Sequence, residues 1–110
     1  MNRLARATLI GTIAQIAMVV IGHFVPTVAS LFAIGGMGIS ALAGWAALKG
    51  QAASISAAAG GGALAGGISA AIGIGASVAM GDVPASLLVM GTGASVVTGL
   101  IGGLIGRRRD

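Results

Sequence analysis

Two of the few titratable side chains in this sequence, His23 and Asp82, each lie within three residues of a Val-Pro pair, Val25-Pro26 and Val83-Pro84. Imidazole changes charge near neutral pH, so a histidine that meets a carboxylate beside two turns could relay a proton or act as a gate. The plainer reading is a pair of interfacial residues wetted by headgroups and water. Proton-coupled carriers place an acid within a span, and no apolar tract of this chain contains one. A third candidate is Gln15, in the first apolar tract. An amide that met only hydrocarbon would leave its donors and acceptor unmatched, so Gln15 is expected to face another helix, where Ser40, Ser69, Ser95 or Thr98 can hydrogen-bond. A site for a polar solute or ion is the alternative.

Little else invites catalysis. The chain has no cysteine, one histidine and two acidic residues, which cannot supply the three or four convergent protein ligands of a zinc site within one chain, and no metal or cofactor is expected. Serine nucleophiles lack a histidine within reach, except near His23, and no span carries paired carboxylates. The run Gly60-Gly61-Gly62 lacks the strand, lysine and hydroxyl residue of a phosphate-cradling loop. A local break in a helix is the alternative for it. The chain is therefore expected not to be an enzyme.

The elements that position these residues follow from where charge is missing. Between Arg6 and Arg107 only Lys49 and Asp82 are charged. With 56% hydrophobic and 7% charged residues in 110, and a mean hydropathy of +1.06, the chain has too little polar surface for a water-soluble globule. A bilayer core about 30 Å thick takes about 20 apolar residues per helix. Four transmembrane helices are predicted, at about residues 7–24, 27–48, 52–80 and 84–106, forming one all-α transmembrane domain. Pro26, Lys49-Gly50-Gln51 and the segment 81–83 mark the turns. Arg3, Arg6, Lys49 and the cluster Arg107, Arg108 and Arg109 then share one side, which the positive-inside rule makes cytoplasmic, N-in and C-in, as in a bacterial inner membrane. Arg3 and Arg6 followed by the apolar run 8–22 also suit a cleavable signal peptide ending near Ala29. The net charge of +4 forms no contiguous basic stripe, so nucleic acid is not an expected partner.

Glycine, 21 residues in all, is the second strong signal. Small residues let membrane helices approach closely, because packing drives their association. Span three carries a ridge of Ala59, Ala63, Gly67, Ala71, Gly75 and Ala79 with Gly62 and Gly66 beside it, and is expected to be the central, most tightly packed helix, offering lipid little. The pattern G-x-G-x-S-x-x-x-G occurs twice, at Gly36, Gly38, Ser40 and Gly44 and at Gly91, Gly93, Ser95 and Gly99. Two tandem hairpins related by an axis along the membrane normal would explain it. Trp45, one turn before Lys49, suits an interfacial anchor, and Phe24 suits the other surface. Arg107, Arg108 and Arg109 would sit among anionic headgroups.

These traits point to a small non-enzymatic membrane scaffold or accessory subunit, whose partners are the lipid bilayer and either a second copy or another membrane protein. In size, multiple spans and a basic C-terminal end the chain resembles holins, small phage proteins that permeabilise membranes, although no motif accompanies the resemblance. It implies a pore-forming, channel-like oligomer. A small-solute carrier is a third expectation, resting on the repeat and on Gln15.

Overall fold

The computed structural model describes residues 2–108, with residues 28 and 29 by their backbone only. The anchor expected at Arg109 lies outside the described residues. The first helix, α1 (Arg3–Phe24), starts where the Asn2 side chain accepts a hydrogen bond from the Ala5 amide at 2.7 Å. It stops at Val25, whose extended backbone is the conformation a following proline enforces. Pro26 opens a single turn, α2 (Pro26–Ala29). Ser30 and Leu31 interrupt the helix there, the Ser30 hydroxyl donating to the Thr27 carbonyl at 2.7 Å. The chain resumes as α3 (Phe32–Leu48). The expected second span is thus split, and α3, at 17 residues, is about 26 Å long, short of the hydrocarbon thickness.

Gly50, at φ +71°, makes the turn after α3, a conformation that disfavours a side chain. The next helix, α4 (Ile55–Ala79), begins where the Ser54 hydroxyl accepts from the Ala57 amide, slightly later than its sequence boundary suggests. It runs unbroken through Gly60, Gly61 and Gly62, so those glycines mark no break. Gly81 (φ +76°) turns the chain, and α5 (Ser86–Gly106) completes the bundle. Helices α1, α4 and α5 are long and apolar enough to cross a membrane, while α3 is apolar but shorter.

The bundle measures 45 × 23 × 22 Å. Helices α3 and α4 pack together and against both α1 and α5, whereas α1 and α5 occupy opposite corners without comparable contact. A two-fold axis along the bundle that carried α1 onto α4 and α3 onto α5 would make α1 meet α5 as closely as α4 meets α3. The two hairpins instead lie side by side, α1 beside α4 and α3 beside α5. Of the long apolar helices α4 is the most buried, with 44% of an apolar 18-residue stretch inside against 22% for α1 and for α5.

The interior is built mainly from small side chains, with Val19, Leu48 and Gln15 the larger buried ones. Ala58, Ala65 and Ala70 are buried, and the largest fully buried side chains among the described residues are Ser40, Ser69 and Ser77. Large apolar residues point outward, among them Ile13, Ile34, Leu42, Val89 and Ile105. Even α4 keeps Leu64, Ile68 and Ile72 on its outer face, so it presents more bulk outward than its Ala and Gly content suggests. An apolar exterior over a thin interior suits lipid, where helices associate by close packing rather than by hiding hydrocarbon from water.

Candidate functional site

The two ends of the bundle differ. At one end the Arg3 guanidinium reaches the Ala46 carbonyl (3.4 Å), and Lys49 Nζ stands 4.8 Å from the centre of the Trp45 ring. Arg107 donates to the Ala53 carbonyl at 3.2 Å, and the Arg108 amide donates to the Gln51 carbonyl at 2.8 Å. The Gly50 amide donates to the Gly106 carbonyl at 3.0 Å, tying the α3–α4 turn to the end of α5. At the other end His23 Nδ1 lies 2.8 Å from Asp82 Oδ2. An ionised carboxylate only accepts, so the imidazole donates. This contact fastens the end of α1 to the α4–α5 turn, with both side chains partly exposed. Phe24 is exposed beside it, its ring edge-on to His23 at 5.0 Å.

Toward the basic end, α3, α4 and α5 touch backbone to backbone. A methyl group on Gly44 would collide with the Gly99 carbonyl, one on Gly102 with the Ala41 carbonyl, and one on Gly103 with the Ala58 carbonyl. On α4 a methyl at Gly62 would strike the Gly99 carbonyl, and one at Gly66 would stand 2.8 Å from the Gly99 Cα. The contact line of α4 is Ala58, Gly62, Gly66, Ser69, Gly73 and Ser77, all buried. It lies one step around the helix from the ridge expected at Gly67 and Gly75. Gly67 packs under Val96, whose Cγ2 would be 2.7 Å from an added Cβ, but Gly75 has nothing within 4 Å. Of the repeat residues, Gly44 and Gly99 meet each other and Ser40 and Ser95 are buried, while Gly38 faces open space. Gly91 abuts the Ile74 side chain and Gly36 neighbours Gln15 and Met18.

A polar relay crosses the middle of the bundle. Gln15, 2% exposed, donates from Nε2 to the Gly36 carbonyl at 3.0 Å and to Ser40 Oγ at 3.1 Å. Ser40 donates onward to the Gly66 carbonyl at 3.3 Å, and Ser69 donates to the same oxygen at 3.1 Å. Both amide hydrogens of Gln15 are thereby used, and its Oε1 is the acceptor it has left. Thr98 donates to the Ser95 carbonyl within α5 and takes no part.

Beyond this relay, toward His23 and Asp82, α3 and α5 part. A cavity of about 280 Å³ fills the gap. Phe32, Gly36 and Met37 line it from α3, Leu87, Met90 and Gly91 from α5, Gln15 and Met18 from α1, and Ile74 and Ser77 from α4. Val83, next to Asp82, also contributes to the wall. The Ser77 hydroxyl is buried there without a hydrogen-bond partner. Sequence reasoning singled out Gln15 and missed Ser77 and the cavity. One available signal was methionine, since three of the five in the chain, Met18, Met37 and Met90, line this space. Among the described residues no group of three or more His, Cys, Asp or Glu side chains gathers to hold a metal ion. No family model, curated protein or solved structure matches the chain, and its own geometry has to carry the functional reading.

Proposed function

We propose that the protein is a small non-enzymatic membrane protein that acts as a scaffold or accessory subunit, with α2 and α3 together completing a fourth span. The basic end faces the cytoplasm of a bacterial inner membrane, N-in and C-in, following the positive-inside rule. The observation that supports this reading is the interior itself. Among the described residues its polar contents are Gln15, the serines 40, 69, 77 and 95 and the Thr92 hydroxyl, and at the basic end backbone fills the space between α3, α4 and α5. Among the described residues acid-base chemistry finds no buried pair to work with, and the backbone contacts of Gly44, Gly62 and Gly99 leave little room for water at the basic end of a single chain. A compact body with an apolar exterior is suited to standing beside other membrane helices, from a second copy or another protein.

Cross-linking in membranes, followed by purification in mild detergent and mass spectrometry, tests the proposal. Defined cross-links to another membrane protein or to a second copy are expected, and a strictly monomeric, unpartnered chain would overturn it. A holin-like pore would have to form between copies, because Gly44, Gly62 and Gly99 close the route within one. Reconstituted vesicles distinguish it: the scaffold reading expects retention of an entrapped dye, whereas release would favour the pore.

A further inference from the structure

We propose that the cavity between α1, α3, α4 and α5 is a binding site for a neutral, mainly hydrocarbon molecule carrying one hydroxyl group, taken up from the surrounding lipid. Three observations converge. The first is size: about 280 Å³ is roughly twice an apolar cavity that takes up benzene, and approaches the lower end of ordinary ligand sites at about 300 Å³. The second is the wall. Phe32, Ile74, Leu87 and the flexible methionines 18, 37 and 90 surround the space, and methionine adapts its shape to different apolar ligands. No charged side chain lines it, and a charged ligand would lack a counter-charge in a medium that penalises ions heavily.

The third observation is the pair of polar groups left over. Ser77 Oγ, like Thr92 Oγ1, is buried and has no partner, an unfavourable state unless something fills it. Gln15 has spent its donors on Gly36 and Ser40, so its Oε1 can receive one more hydrogen bond. A methyl on Gly73 would stand 2.6 Å from Gln15 Cβ, and Ser77 follows Gly73 by one helical turn, about 5.4–6 Å along the axis. Gln15 and Ser77 thus both line one apolar space, the Ser77 hydroxyl buried in its wall. A ligand hydroxyl, both donor and acceptor, matches that combination where a pure hydrocarbon matches neither. Access is from the side: Met37 and Met90 are exposed on α3 and α5 and also line the cavity, so a molecule dissolved in the bilayer enters without crossing water.

The test uses the full chain reconstituted in vesicles and a photoactivatable medium-chain alcohol with a diazirine near its hydrocarbon end, alongside the matching diazirine alkane. Mass spectrometry locates the labelled residues. Labelling by the alcohol should concentrate on cavity residues such as Met37, Leu87 and Met90, saturate, and exceed alkane labelling several-fold. Ser77→Ala should reduce the alcohol to the level of the alkane while leaving helicity and melting temperature intact. Gly36→Leu, at a position where a Cβ meets only ordinary contacts, should abolish cavity labelling by both probes. Label scattered over outward residues such as Ile34 and Val89, or an alcohol preference that survives Ser77→Ala, would overturn the proposal.

Discussion

The two halves of this bundle use the same residue types to opposite ends. In the basic half, glycines on α3, α4 and α5 face one another, and carbonyl oxygens occupy the space where side chains would begin. In the half that ends at His23 and Asp82, glycines 38, 75 and 93 face nothing within 4 Å, Gly35, Gly73 and Gly91 meet side chains first, and a cavity opens between the same α3 and α5; Gly60, in the basic half, also faces open space. Glycine content therefore does not by itself report close packing. What matters is whether glycines on neighbouring helices fall at the same level, as Gly44, Gly62 and Gly99 do. Between the halves the Gln15 relay ties α1, α3 and α4 together at the depth where packing changes character.

The largest effect is expected from bulk introduced on the two sides of that divide. Gly62→Leu or Gly99→Leu should lower stability by about 1–3 kcal/mol or more, because backbone cannot move aside as a side chain can. Gly75→Leu should be close to neutral, and Gly38→Ala should be neutral or raise stability by up to about 1 kcal/mol through helix propensity. Thermal unfolding in mild detergent measures the difference, and similar losses at all four positions would erase the contrast. Next in size is Gln15→Leu, which deletes two hydrogen bonds averaging about 0.6 kcal/mol each in membrane settings and leaves Ser40 short of a donor. Its loss in unfolding experiments should shrink when Ser40→Ala is already present.

Smaller still, Ser77→Ala should be neutral or slightly stabilising in ligand-free detergent, since the hydroxyl has no protein partner to lose. A clear destabilisation would mean that Ser77 is held by the fold rather than left for a ligand. The smallest change belongs to the outer rim. Asp82→Asn removes the charge from a partly exposed contact, and such pairs contribute roughly 0–1 kcal/mol. A shift in melting temperature larger than that of Gln15→Leu would show the rim contact to be more than a local fastening.

The apolar helices and the placement of basic residues at one end were legible in the sequence, because charge is so scarce that Lys49 marks a turn and the arginines flank the first and last helices. The proline at position 26 marked the end of α1 for a local reason, its effect on Val25. The interruption at Ser30 and Leu31 was not legible, since neither residue is a helix breaker and the segment carries no charge. Of the ridge expected on α4, Gly67 is buried under Val96 but Gly75 meets nothing within 4 Å: small residues surround most of that helix, so periodicity cannot choose between Gly75 and Gly73. Only the opposing Gln15 side chain makes the choice. Gln15 announced itself as an isolated amide in a hydrocarbon tract, whereas Ser77 is one serine among several and becomes notable only when the structure leaves it without a partner.

The contrast between halves is tested most directly by amide hydrogen exchange on the protein in a lipid nanodisc, since exchange reports local opening segment by segment. Locked backbones at the basic end predict the slowest exchange in residues 58–66 of α4 and 99–103 of α5, with faster exchange at 32–37 and 86–91 around the cavity. Uniform protection along α3 and α5, or slower exchange around the cavity than at the glycine contacts, would contradict the account.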